Sequence, residues 1–125
     1  MNSVPEAARP ILEKLLNKQL YVIVTTAVAP REEIEKRLVE HLEHQIRLER
    51  EGILFGAGPL FTEQGAGGRG MIIVRAASFE EARAIADRDP YHRQELRTYT
   101  IDRWMLNEGT VSIRVNYSDG SSTID

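Results

Sequence analysis

Glu40-His41-Leu42-Glu43-His44-Gln45-Ile46-Arg47-Leu48 lies in the middle of the longest helical pattern in the chain. At about 100° per residue, Ile34, Leu38, Leu42, Ile46 and Leu48 share one stripe, and Glu32, Lys36, Glu40, Glu43, Arg47 and Arg50 fall opposite. The division predicts a helix from about residue 31 to 51, with one face on a core and the other in water. Gly52 ends it, because glycine takes the left-handed conformation at a helix end without steric cost. His41 and Gln45 break the pattern, since both sit near the centre of the apolar stripe. Facing inward, each must find a partner, because an unpaired buried polar group costs about 1–3 kcal/mol. His41 is then either a satisfied core histidine or a histidine lining an internal pocket.

Outward from this helix, strands and helices alternate. Tyr21-Val22-Ile23-Val24-Thr25-Thr26-Ala27-Val28 is rich in β-branched residues and predicts a buried strand closed by Ala29-Pro30. Ile53-Leu54-Phe55-Gly56-Ala57-Gly58 predicts a second strand, halted by Pro59. Residues 62–70 contain Gly65, Gly67, Gly68 and Gly70 and read as a flexible connection into a third strand, Met71–Ala76. A phosphate-cradling loop would instead lead into a helix N-terminus. Ser78-Phe79-Glu80-Glu81 has capping-box spacing and opens a short helix burying Phe79, Ala82, Ile85 and Ala86. That helix ends before Pro90, which disfavours helical geometry in Asp89. A turn through Tyr91 and His92 then leads into a strand from about Leu96 to Leu106, which carries Trp104, the only tryptophan.

The order β-α-β-β-α-β predicts an α+β, ferredoxin-like fold, with two helices covering one face of an antiparallel four-stranded sheet. Residues 2–18 add a short amphipathic helix, with Pro10 in its first turn. Val111, Ile113 and Val115 alternate with polar residues as an extra, half-buried strand, and the tail from Ser118 is polar and expected to fray. The whole reads as a single domain over 1–125, with an extension at 1–19, a core at 20–106 and an extra strand and tail at 107–125. The strands are apolar on both faces, so the uncovered sheet face is expected to meet a second copy in a homodimer.

The 125 residues are 42% apolar and 28% charged, with a net charge of −3 and both signs interspersed. Nothing there attracts nucleic acid or an anionic membrane surface. The absence of cysteine removes disulfides, thiolate nucleophiles and cysteine-ligated zinc, and fits a reducing compartment. Glu6, Arg9, Glu13 and Lys14 interrupt any signal-peptide core, and no apolar run approaches the roughly 18 residues of a membrane span. A cytoplasmic protein is expected.

Three features could carry chemistry. Asp89, just past a helix end, sits at the negative end of the dipole and needs compensation that His41 could supply; otherwise it only starts an Asp-Pro turn. His41 and His44, three apart, could bind a divalent metal with Asp89 or His92, but no spacing dictates a further ligand, so neither metal nor cofactor is expected. Tyr91, His92, Arg97, Tyr99, Arg103 and Trp104 could line a pocket for an anionic or aromatic ligand, or be ordinary strand and interface residues.

The set His41, Glu51-Gly52, Leu54, Ala57-Gly58-Pro59-Leu60, Gly70, Ser78-Phe79-Glu80-Glu81-Ala82 and Asp89-Pro90-Tyr91 resembles the YCII-related family over about residues 20–106. The resemblance implies a small dimeric α+β barrel in which the histidine and the aspartate of the Asp-Pro pair, here His41 and Asp89, form an active-site dyad. It further implies a scaffold able to support elimination, since one relative is a dehydrochlorinase of a chlorinated hydroxyquinol. The N-terminal helix and the strand after Trp104 depart from the short family pattern. Together these features favour a cofactor-independent lyase or isomerase that moves a proton with His41 and Asp89 on a small aromatic or anionic molecule. His44, Gln45, Gly58, Pro59, Tyr91 and Trp104 are the expected substrate contacts. The alternatives are a non-catalytic dimeric ligand-binding or accessory protein, and a cofactor-free monooxygenase-like enzyme, which would consume oxygen.

Overall fold

The computed structural model describes residues 3–125. From the N-terminus its elements are α1 (Arg9–Lys14), β1 (Lys18–Ala27), α2 (Arg31–Glu35), α3 (Leu38–Arg50) and β2 (Leu54–Thr62). Then come β3 (Gly65–Val74), α4 (Phe79–Asp87), α5 (Pro90–Arg93), β4 (Arg97–Leu106), β5 (Ile113–Val115) and β6 (Ser122–Ile124). They divide into two compact units: Gln19–Met105, and Lys18 with the residues before it together with Leu106–Asp125.

In the larger unit the four strands form one sheet in the order β2-β3-β1-β4. β3 pairs antiparallel with β1 on one side and β2 on the other. This is the ferredoxin-like α+β arrangement. Alternation decides what each strand buries: Tyr21 and Ile23 of β1 and Ile72 and Val74 of β3 point to the same face as Leu48 of α3 and Ala82, Ile85 and Ala86 of α4. Those eight residues are the core. Tyr99 and Ile101 of β4 and Leu54 of β2 pack against its margin.

α4 starts as its sequence requires. The Glu81 N–H donates to Ser78 Oγ at 3.1 Å, and Glu81 Oε2 accepts from the Ala77 N–H at 2.9 Å. Phe79, expected in the core, is instead half exposed at the helix start, its ring edge-to-face with Tyr21 at 5.0 Å.

Several boundaries differ from those the sequence predicts. The long helix is two helices, broken at Lys36–Arg37, where Arg37 leaves helical geometry at φ −107° and ψ 5°. No proline or glycine forces the break. The glycine-rich stretch is not a flexible connection but the first half of β3, hydrogen-bonded across a tight turn to β2. Pro59 does not stop β2. That strand lies at the sheet edge, where a missing N–H costs no ladder bond. A bulge at Phe55 shifts the register, so that Ala57 pairs with Ile72 and Pro59 with Gly70. Asp89-Pro90-Tyr91-His92 is not a plain turn but the start of a one-turn helix, α5, capped by Asp89.

In the second unit, the Leu16 N–H at the end of α1 donates to the Asn107 carbonyl at 3.1 Å. The tail from Ser118, expected to fray, supplies β6, which pairs with β5 through Ile113↔Ile124 and Val115↔Ser122. Every residue of this hairpin is exposed, so the extra strand is not half buried. Among the described residues no helix is long and apolar enough to cross a membrane.

Candidate active site

α3 does not lie flat on the sheet. The residues it buries are His44, Gln45 and Leu48, on one edge of the apolar stripe. The other edge stands away from β2 and walls a groove of about 660 Å³, facing Phe55, Ala57, Gly58 and Pro59. Leu38, Leu42 and Ile46, which the wheel assigned to the core, are therefore 42%, 49% and 46% exposed. Thr25, Gly70 and Ile72 lie along the sheet side of the groove, and His41, Tyr91 and Arg97 also line it. The Phe55 bulge turns Ala57 and Pro59 toward the groove, in step with Ile72 and Gly70. Gly70 keeps that surface clear: a Cβ there would come within 3.3 Å of Thr25 Cγ2 and 3.4 Å of the Gly58 carbonyl.

His41 and Asp89 meet at this groove. His41 Nδ1 is 3.0 Å from Asp89 Oδ1 and 2.9 Å from Oδ2. Only the Oδ1 contact is aligned as a hydrogen bond, and Oδ1 also accepts the Tyr91 N–H at 2.9 Å. Asp89 is 2% exposed. Burial alone would push its carboxyl up, but the hydrogen bond and charge of His41, with the Tyr91 N–H, outweigh it and hold the group below the ordinary value of 3.8. Asp89 is then a carboxylate, which only accepts, so the Nδ1 proton of His41 points at it, and the neutral tautomer this contact selects is the one with its lone pair on Nε2. The imidazole also stacks on Tyr91, with ring centroids 4.2 Å apart and planes at 17°. Burial raises the Tyr91 phenol against the opposing charge of Arg97, so it stays protonated at neutral pH.

A family model, the YCII-related domain, matches residues 19–105, which include both members of this pair. The chain belongs to the YCII-related family. Among solved structures it is similar to 5-chloro-2-hydroxyhydroquinone dehydrochlorinase (TftG) from Burkholderia phenoliruptrix AC1100, in complex with 2,5-dihydroxybenzoquinone. The TM-score is 0.52 at 19% identity, covering 68% of this chain and 92% of that one. At that identity the likeness speaks for the fold. No protein of curated function matches.

Within this YCII-related core, the residues expected to contact substrate separate. Gln45, Gly58, Pro59 and Tyr91 line the groove with His41. His44 does not: it is 8% exposed on the buried side of α3, with Nε2 lacking any partner. α3 turns His44 to its buried side, so the ring faces the interior and not the groove. Trp104 does not line the groove either and stays partly exposed near the end of β4.

His92 serves the fold. Its Nδ1–H donates to the Ala86 carbonyl at 2.7 Å, so Nε2 accepts from the Thr25 hydroxyl at 2.9 Å. Tyr99 donates to Asp87, and burial, reinforced by that bond and the Asp87 charge, pushes its phenol up to about 12. Among the described residues no group of three or more histidine, cysteine, aspartate or glutamate side chains could hold a metal ion. Sequence periodicity missed the groove wall of Leu38, Leu42, Ile46 and Phe55, because groove and core residues look alike on a wheel.

His44 yields a stability prediction. Burial lowers its pKa below 6.5, reinforced by Arg47, His41 and Arg88 and opposed by Asp89. The unfolded chain therefore takes up that proton first, so stability is full above pH 6.5 and declines as pH falls toward the depressed native value. Replacing the orphaned ring with leucine should stabilise the protein by about 1 kcal/mol. Thermal melting should show a larger gain for His44→Leu at pH 5 than at pH 8; equal gains would mean that the ring is not titrating in this way.

Proposed function

We propose that the protein is a lyase or isomerase of a small organic molecule, in which His41 Nε2 removes or returns a proton at carbon and Asp89 orients the ring. The observation that carries the reading is the pairing of Nδ1 with a buried carboxylate on a histidine that lines an open groove. Asp89 selects the tautomer with a free Nε2 and stabilises the imidazolium once the proton has moved. The reaction as written needs no cofactor, because base and orienting group are both side chains. The fold shared with a dehydrochlorinase supports the class, since net loss of HCl from a molecule also removes a proton.

The test works whichever product forms. Candidate molecules with acidic C–H groups, and 5-chloro-2-hydroxyhydroquinone as a probe of chloride elimination, are incubated with the protein in D2O and followed by proton NMR. Protein-dependent exchange or elimination that disappears in His41→Gln supports the reading. Exchange unaffected by that substitution defeats it.

The working unit in this reading is a homodimer. Val22, Val24, Met71 and Ile73 alternate with the core residues of β1 and β3 and give the sheet an apolar second face, away from α3 and α4. Light scattering at micromolar concentration should give twice the 14.2 kDa chain mass. A mass of one chain would remove the dimer.

A further inference from the structure

The groove is polarised along its length: Arg97 and Arg69 line it, neither has an ion-pair partner among the described residues, and Arg97 is the one on the strand face that carries the core. α3 runs from the end of the sheet where β1 finishes back to the end where β2 begins. The end near the α3 N-terminus holds Arg97: the Val28 N–H donates to the Leu96 carbonyl, and Arg97 donates to the Gly68 carbonyl at 3.4 Å. Arg97 alternates in register with Tyr99 and Ile101, which pack on the core, so its side chain rises on the groove side of β4. The guanidinium lies over the Tyr91 ring, 5.1 Å from its centroid, and Tyr91 stacks on His41. Its Nε is buried without a partner, and among the described residues it makes no ion pair. A half-buried guanidinium left so is costly, and the planar fork of arginine suits a carboxylate or phosphate oxygen pair. Beyond His41 the wall is apolar but for Gln45, through Leu42, Ile46 and Phe55 toward Glu49. From Leu38 to Glu49 the helix advances about 16 Å.

We infer that the groove binds an elongated amphiphilic anion, its charged head on Arg97 and its apolar body along Leu42, Ile46 and Phe55. This rests on the proposed function only in setting the reacting carbon between head and body, beside His41. Volume points the same way. A space of 660 Å³ corresponds to about twenty waters, and a single-ring molecule would leave most of it unfilled.

The test is calorimetric titration of the full chain with butanoate, octanoate, octyl phosphate and octanol. Octanoate should bind at least tenfold more tightly than butanoate, because four further methylenes enter an apolar wall. It should also bind at least tenfold more tightly than octanol. Octyl phosphate matching or exceeding octanoate would identify the head as phosphate rather than carboxylate, with the anchor unchanged. Arg97→Gln should reduce octanoate to the level of octanol, and Arg97→Lys should recover part of the difference. Ile46→Glu, at a half-exposed position that tolerates charge, should erase the advantage of octanoate over butanoate. Equal binding of octanoate and octanol, or full octanoate affinity in a folded Arg97→Gln protein, overturns the anchor. Independence of chain length overturns the apolar wall. None of these titrations needs turnover. Absent proton exchange with intact octanoate binding defeats the catalytic reading alone, and the converse defeats only this inference.

Discussion

His41→Gln is expected to slow proton exchange or elimination at least a hundredfold while the melting temperature moves by only a few degrees. A positioned general base contributes roughly 10²–10⁴-fold, and glutamine has no nitrogen that takes up a proton at neutral pH. Glutamine does keep an N–H that can reach the Asp89 carboxylate, so the buried acceptor is not orphaned. The stacking on Tyr91 is lost, which accounts for the small change in melting. The two readouts belong on one preparation: NMR exchange in D2O and thermal melting. If activity falls only in step with stability, His41 is a structural histidine.

Asp89 should produce the largest loss of stability. It caps α5 through the Tyr91 N–H and also holds His41, both from a buried position. Removing a cap costs about 1 kcal/mol, and removing one partner of a buried pair about 3–5 kcal/mol. Asp89→Ala is accordingly expected to lose about 3 kcal/mol, against about 1 for Asp89→Asn, whose amide oxygen still accepts from Tyr91. The difference should depend on pH. Because the native carboxyl lies below 3.8, its stabilisation is complete above that value and is lost as pH falls through the depressed native pKa. Denaturant melts of wild type and Asp89→Ala should differ by a full and constant amount from pH 8 down to about pH 4, and the difference should shrink only as pH falls below 3.8. A difference that persists unchanged well below pH 3.8 would show that the carboxylate charge is not what stabilises the fold. Asp89→Asn has a second signature, since its amide N–H can face Nδ1 and place the ring proton on Nε2, removing the base. Its activity should therefore fall much further than its stability.

Much of the molecule was written locally. The β-branched run at Tyr21–Val28, the capping serine at Ser78 and the helix-ending Gly52 each name an element through short-range chemistry, and their order predicts the ferredoxin-like sheet that the chain adopts. His41 stood out because it was polar on an apolar stripe. Asp89 drew attention as a carboxylate next to a helix end, and the family resemblance joined two residues that lie 48 positions apart. What periodicity encodes is which residues share a face, and it is silent about what that face meets. Leu38, Leu42 and Ile46 therefore read as core although they wall a groove, and His44, expected to contact substrate, is buried away from it. The Phe55 bulge, which turns Ala57 and Pro59 toward the groove, depends on how β2 pairs with β3 and has no local signature. The same holds for Arg97: its type was visible, but the missing counter-charge is a property of everything around it. Side-chain identity and spacing act over a few residues of chain, whereas the groove and its polarity arise from packing between segments far apart in sequence.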